Sequence, residues 1–185
     1  MSKPQGIIVF GGNGSGKTTL GRELACRLNF KHMDIEDYHF EKSNIPYTLE
    51  RSRENCIRLM LADIEKHKSF VISAVTGDFC ETIEQFYKLA VYITAPHELR
   101  MERIKRRSYE QHGMRIQKDG DMYHQHKRFI DFAASRTHAK IDQWAETMAC
   151  PIIQIDGTVD WRINAAHLAQ RFIDMTVMES ETFTF

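Results

Sequence analysis

A glycine-rich segment near the N-terminus constrains the fold of this chain more than any other feature. Residues 11–18 read Gly-Gly-Asn-Gly-Ser-Gly-Lys-Thr; they follow the apolar run 6–10 directly, and a helical pattern follows them. This order of strand, loop and helix is the context of the phosphate-binding motif G-x-x-x-x-G-K-[ST]. Glycine allows a backbone that curls with its N–H groups pointing inward. The segment therefore predicts a phosphate site at a helix N-terminus, where the helix dipole also favours an anion.

Two side chains of this loop carry the predicted chemistry. Lys17 is expected to reach the β- and γ-phosphates of a nucleotide, and the Thr18 hydroxyl is expected to hold magnesium. The loop residues predicted to bind the nucleotide are Gly11, Gly12, Asn13, Gly14, Ser15, Gly16, Lys17, Thr18 and Thr19.

Apolar runs alternate with helical patterns along the rest of the chain. The runs at 70–75, 89–93 and 150–155 are continuous, which is typical of strands covered on both faces. Alternating strands and helices predict an α/β fold with a parallel sheet flanked by helices, and ligands then bind at the carboxyl ends of the strands. We expect one domain over residues 1–178 and a frayed tail over residues 179–185.

The charge balance excludes a general attraction to polyanions. The chain has 25 Lys and Arg residues against 25 Asp and Glu residues, so neither a nucleic acid nor a membrane partner is expected. Its four cysteines are scattered and form no C-x-x-C pair, and the apolar run after the N-terminus is too short for a signal peptide or a membrane span. These features predict a cytoplasmic protein, and they give no indication of its oligomeric state.

An acidic cluster follows the short strand predicted at 30–33. Asp34, Glu36 and Asp37 could bind magnesium through water or accept a proton from an acceptor hydroxyl. We assign Asp34 to the metal or the acceptor, and either Glu36 or Asp37 to the base. An extended backbone would place Asp34 and Glu36 on one side and Asp37 on the other. The structural alternative is a helix N-terminus that carries acidic residues because the dipole favours them.

A basic stretch that begins at Arg100 follows the run at 89–93. It could close over ATP, and it predicts a lid over about 103–121. Arg103 and Arg107 are four residues apart, on one face of a helix, which suits them to grip phosphate oxygens. Arg115 lies beyond them in a glycine-bounded segment, 113–120, that is typical of a mobile loop. The alternative is a solvated charged helix, because acidic residues are interleaved.

Two further arginines follow the acidic cluster. Arg51 and Arg53 could bind an anionic acceptor, and they are equally plausible as residues of a helix surface.

The apolar run at 70–75 does not end in an acidic residue, since the first acid after it is Asp78. P-loop machines and switches often place an aspartate at such a strand end, so this pattern favours small-molecule kinases.

In their order along the chain, these segments resemble the small P-loop kinases, among them shikimate, gluconate and adenylate kinases. The matching segments are the loop at 11–19, Asp34-Ile35-Glu36 after the second strand, 73–77 at the end of the third, the lid from 103, and Asp156-Gly157-Thr158. The resemblance implies a five-stranded parallel sheet in the order 2-3-1-4-5, ATP as donor and Mg2+ as cofactor. It also implies that Gly157 binds the nucleotide and that Gly77 binds the substrate.

The chain departs from the shikimate kinase pattern at the acceptor site. Thr76-Gly77-Asp78 stands where those enzymes have three glycines, whereas Asp37-Tyr38 with Phe40 resembles uridine-kinase-type enzymes. A hydroxy acid, a nucleoside or a nucleotide therefore remains open as acceptor. The predicted function is transfer of the γ-phosphoryl group of Mg-ATP to such a small molecule. The alternatives are a nucleotide-binding switch or regulatory ATPase, and a kinase-like fold without turnover.

Overall fold

The computed structural model describes the backbone of residues 3–182 and the side chains of residues 3–178. Its five strands are β1 (Gln5–Phe10), β2 (Lys31–Asp34), β3 (Ser69–Ala74), β4 (Tyr87–Thr94) and β5 (Ile152–Asp156). They form one sheet in the order β2-β3-β1-β4-β5, and all four pairings are parallel. The predicted fold class and strand order are confirmed.

Eight α-helices occur within residues 3–182. They are α1 (Lys17–Leu28), α2 (Ile35–His39), α3 (Arg53–His67), α4 (Glu81–Glu84), α5 (His97–His112), α6 (Tyr123–Ser135), α7 (Ala139–Ala145) and α8 (Trp161–Thr182). A 3-10 helix, Gly113–Ile116, follows α5. Among the described residues, no helix combines the length and the apolar character needed to cross a membrane.

The central strand β1 explains why the apolar runs are continuous. Ile8 and Phe10 pack into a core with residues of α3 and α7. Ile7 and Val9 point the other way and pack into a second core with residues of α1 and α8. All four side chains are fully buried. Because both faces of the sheet are covered, the alternation expected of a half-exposed strand is absent.

The acidic segment after β2 differs from the extended backbone that the sequence analysis considered first. Ile35–His39 is helical, and Asp34 is its N-cap residue, whose Oδ1 accepts a hydrogen bond from the Glu36 N–H at 3.2 Å. Aspartate is a preferred N-cap, and acids in the first turn complement the helix dipole. The expectation of strict alternation was therefore wrong at this point.

The closing helix reaches into the segment predicted to be a frayed tail. α8 includes residues 179–182, and residues 183–185 lie outside the described residues. Fraying of the tail stays a prediction.

Candidate functional site

The glycine-rich loop joins β1 to α1 and needs glycine for steric reasons. Gly14 has a φ of +79°, and a Cβ added there would lie 2.4 Å from the carbonyl oxygen of Arg100. Gly16, the N-cap of α1, has a φ of +106°. Because a glycine N-cap offers no side chain, the first N–H groups of α1 are left for an anion.

A cavity of about 410 Å³ lies against this loop. Residues 14–19 form one side of it, and Arg103, Arg107 and Gly157 lie on the others. Gly11, Gly12 and Asn13 precede the part of the loop that lines the cavity. We call this space the nucleotide cavity, because it joins a phosphate-type loop, a helix N-terminus and four cationic side chains, those of Lys17, Arg103, Arg106 and Arg107.

The burial and charge of Lys17 are those expected of an anion-binding site. Its Nζ donates a hydrogen bond of 3.0 Å to the carbonyl oxygen of Gly12. Burial lowers the pKa of Lys17 from 10.5 to about 8; the charges of Glu36 and Asp34 oppose this shift, while Arg107 adds to it. A phosphate group would supply the negative charge that the buried ammonium lacks.

Arg103 and Arg107 lie on one face of α5, as the sequence predicted, but their surroundings differ. Arg103 donates to the carbonyl oxygens of Gly157 at 2.9 Å and Ser15 at 3.4 Å. It thus ties the phosphate-binding loop to the loop after β5. Arg107 is exposed and influences the pKa values of both Lys17 and Glu36. Arg107 is therefore the better placed of the two to meet a ligand.

The three acidic residues have separate environments. Glu36 is partly buried, and burial together with the charge of Asp34 raises its pKa. Asp37 is exposed to solvent. Thr18 lines the nucleotide cavity, while Asp34 lies outside its lining and acts on Lys17 through its charge. The donor set of one hydroxyl and nearby carboxylates fits Mg2+, and the assignment of Thr18 and Asp34 to the metal stays a prediction.

Arg51 and Arg53 both donate hydrogen bonds to backbone carbonyl oxygens of the protein. One guanidinium nitrogen of Arg51 donates to three carbonyl oxygens of α2 and its C-terminus, those of Asp37, Tyr38 and Phe40. One nitrogen of Arg53 donates to the carbonyl oxygens that follow β3, at Asp78 (3.3 Å) and Phe79 (2.7 Å). These contacts give both arginines a structural role, and their role in substrate binding stays a prediction.

Arg115 and Gly77 are also engaged by neighbouring protein groups. Arg115 is exposed and forms two hydrogen bonds with the Asp121 carboxylate, at 2.7 and 3.0 Å. Gly77 is buried, and its carbonyl oxygen accepts a hydrogen bond from the Tyr87 hydroxyl at 3.2 Å. A Cβ added at Gly77 would lie 3.0 Å from the Trp144 ring. The proposed contacts of Arg115 and Gly77 with ligands stay predictions.

Arg100 begins the basic stretch that the sequence predicts could close over ATP. The structure buries this side chain, which is only 4% exposed, and its Nη1 donates to the carbonyl oxygen of Asn13 at 3.2 Å. Arg100 precedes Arg103 and Arg107 at the spacing i, i+3, i+7, which places the three on one helical face. Arg100 therefore supports the phosphate-binding loop, and a contact with ATP stays a prediction.

A second cavity, of about 390 Å³, was not predicted from the sequence. It lies between the α2 region and helices α5 and α6, and Glu36 and Arg107 line it. We call it the acceptor cavity. Its residues on α6 include Gln125, Phe129 and Phe132, whose helical spacing could have indicated a common face.

Comparison with known proteins agrees with this geometry. A family model described as an AAA domain matches residues 7–124, more than half of the chain. An uncharacterised protein of Bacillus subtilis is 24% identical over 168 residues, which cover 85% of this chain and 93% of that protein. A shikimate kinase of Enterococcus faecalis is 23% identical over 163 residues, or 81% of this chain and 97% of that enzyme.

A solved structure shows the same fold. Shikimate kinase from Acinetobacter baumannii in complex with shikimate superposes with a TM-score of 0.57 at 20% identity, covering 95% of this chain and 94% of that one. At this identity the likeness establishes the fold. The resemblance to small P-loop kinases is confirmed.

Proposed function

Because the chain belongs to the AAA-domain family and has the fold of small P-loop kinases, we propose that it transfers the γ-phosphoryl group of Mg-ATP to a small-molecule acceptor. The observation that carries the proposal is that Arg107 lines both the nucleotide cavity and the acceptor cavity. A kinase requires two adjoining sites with a cation between them, whereas an ATPase that uses only water requires one.

Glu36 gives the acceptor cavity the group that a phosphoryl acceptor needs. This carboxylate lines the acceptor cavity, and its charge acts on Lys17 in the nucleotide cavity. Its raised pKa makes it a better proton acceptor than an ordinary carboxylate. Asp37, the other candidate base, is exposed and is not among the residues that line either cavity. We therefore assign the base to Glu36.

In the proposed step, the acceptor's hydroxyl oxygen forms a bond to the γ-phosphorus. The bond from this phosphorus to the β,γ-bridging oxygen breaks, its electron pair stays on ADP, and the hydroxyl proton passes to Glu36. Lys17 and the first N–H groups of α1 hold the phosphates, and Arg107 stabilises the charge on the moving group. Bound Mg2+, for which Thr18 and Asp34 are the candidate ligands, would neutralise part of the phosphate charge.

The test is ADP release from Mg-ATP, with and without pools of nucleosides, nucleoside monophosphates, sugar acids, and shikimate with related hydroxy acids. We expect one pool to stimulate ADP release in the wild type. Lys17→Met should lower the stimulated rate by several orders of magnitude, because the phosphates lose their buried cation. Lys66→Met, which alters an exposed lysine on α3, is the matched control and should keep the rate.

The same assay separates the alternatives. A slow rate that is indifferent to every pool would contradict the kinase and support a regulatory ATPase. Nucleotide binding without ADP release under any pool would support a fold without turnover. Near-normal turnover in Lys17→Met would overturn the assignment of the site.

A further inference from the structure

Two separate segments of the chain contribute aromatic side chains to the lining of the acceptor cavity. Phe40 and Tyr47 come from the segment that follows β2, while Phe129 and Phe132 come from α6. The rings of Phe40 and Tyr47 pack edge to face, with centroids 5.3 Å apart. A cavity lined by several aromatic side chains favours a flat, apolar body.

The size of the acceptor cavity suits one small molecule. Its volume of about 390 Å³ lies within the roughly 300–1,000 Å³ of ligand sites. Ile116 and Met122 add further apolar surface, and both are buried. A ligand covered with hydroxyl and carboxylate groups would leave this surface without an apolar partner, and the polar groups placed against it would lose their hydration.

Polar groups occur at defined positions in this lining. Arg107 marks the side shared with the nucleotide cavity. Glu36 lines the acceptor cavity, and its charge acts on Lys17 of the nucleotide cavity. A hydroxyl placed near these two residues would face the transferring phosphoryl group. Gln125 lines the cavity as well, and its Nε2 donates to the Pro46 carbonyl oxygen at 2.8 Å. Among the described residues, the buried Oε1 of Gln125 has no hydrogen-bond partner. It is therefore available to accept from an N–H or O–H group of a ligand.

The charges around the cavity do not require an acidic ligand. Burial and the neighbouring His112 lower the pKa of His126, which disfavours its charged form. The fixed positive charges of the lining are Arg107, which faces the nucleotide cavity as well, and the exposed Arg128. Glu36 counters them. The lining thus offers one carboxylate, two guanidinium groups, two imidazoles and four Phe and Tyr side chains.

We propose that the acceptor cavity binds a hydroxyl-bearing molecule built on a planar aromatic ring, the chemistry of a nucleoside, rather than an aliphatic hydroxy acid. The ring would lie between the aromatic pairs, and the hydroxyl would approach Glu36. That this ligand is the phosphoryl acceptor rests on the proposed function, whereas its binding can be tested without any turnover.

The experiment is calorimetric titration with single compounds, in the presence and absence of ADP. The probes are adenosine, guanosine, uridine and thymidine, and the aliphatic comparison compounds are gluconate and shikimate. The test variant is Phe132→Ser, because Phe132 is 51% exposed and its replacement leaves the core intact. The matched control is Tyr109→Ser, since Tyr109 is 54% exposed on α5 and lies outside the lining of both cavities.

At least one of the nucleosides should bind the wild type and Tyr109→Ser with equal affinity. Phe132→Ser should weaken that affinity about ten-fold, in line with the loss of one aromatic contact. ADP affinity, measured on both variants, reports on the fold of the nucleotide cavity.

The outcomes separate the two proposals. A nucleoside that binds in a Phe132-dependent way but is never phosphorylated would support this inference and contradict the proposed function. The inference is overturned when gluconate or shikimate binds and no nucleoside does. It is also overturned when Phe132→Ser leaves nucleoside affinity unchanged, or when none of the four nucleosides binds at millimolar concentration.

Discussion

Arg100 Nη1 donates a hydrogen bond of 3.2 Å to the backbone carbonyl oxygen of Asn13, which ties α5 to the phosphate-binding loop. The backbone of Arg100 approaches the loop as well, because its carbonyl oxygen lies 2.4 Å from the position that a Cβ at Gly14 would take. The helix that carries Arg103 and Arg107 is thus held against the loop at its first turn. The distance between the phosphate-binding loop and α5 is therefore already fixed before a ligand binds to both of them.

Arg100→Met should destabilise the protein and weaken nucleotide binding. The change removes a buried hydrogen bond from a charged donor, which is worth roughly 1.5–3 kcal/mol, and we expect Tm to fall by about 4–10 °C. ADP affinity should fall several-fold, because the loop loses a support. Thermal unfolding and ADP titration measure the two effects. Lys105→Met, on the exposed face of the same helix, is the control, and an Arg100 variant that behaves like it would contradict this role.

The sheet and the phosphate-binding loop could be predicted from the sequence because their causes are local. Continuous apolar runs follow from strands buried on both faces, and the glycines of residues 11–16 follow from a backbone that other residues cannot adopt. Strand order came from resemblance to a family. Propensity could not supply it, since order depends on contacts between distant segments.

The acceptor cavity could not be predicted in the same way. It forms where residues 36–47 contact residues 107–132. A contact between segments so far apart in the chain is not indicated by the pattern of residues within either segment. Arg51 and Arg53 show a related limit, because a sequence does not distinguish an arginine that faces a ligand from one that binds backbone carbonyls. The sequence placed Arg100 in the basic stretch over ATP, but its burial against the loop could not be predicted, because charged residues are seldom buried.

Gly14→Ala should disrupt the loop more than Gly113→Ala does. Both glycines have a positive φ, +79° and +53°, but a Cβ at Gly14 would meet the Arg100 carbonyl, while nothing lies within 4 Å of one at Gly113. Gly113→Ala should cost only the backbone strain, about 1–3 kcal/mol. Gly14→Ala should cost more and should also abolish tight ADP binding. Chemical denaturation measures the free energy of unfolding. If both variants lose the same amount and both keep their ADP affinity, the close approach of the Arg100 carbonyl to Gly14 is unimportant.

Nucleotide binding should take up protons through Lys17 at mildly alkaline pH. In the free protein its pKa is about 8, so near pH 8.5 most molecules carry a neutral Lys17. Phosphate charge favours the ammonium form and raises this pKa, so binding draws a proton from solution. Calorimetry of ADP binding in two buffers of different ionisation enthalpy should show uptake at pH 8.5 and less at pH 7. Lys17→Met should show none from this group, and an unchanged proton count in that variant would contradict the assignment.

Glu36→Gln should abolish the acid limb of the pH–rate profile. Burial and the charge of Asp34 raise the pKa of Glu36 above its ordinary value, and a base works only when ionised. In the wild type, kcat/KM should therefore fall as pH decreases through this raised pKa. The fall should begin at a higher pH than it would with a glutamate of ordinary pKa. Without the base, the rate should drop about 10²–10⁴-fold and lose this dependence. Asp37→Asn, at an exposed position, should keep both the rate and the limb; if Asp37→Asn shows the loss and Glu36→Gln does not, the base is Asp37.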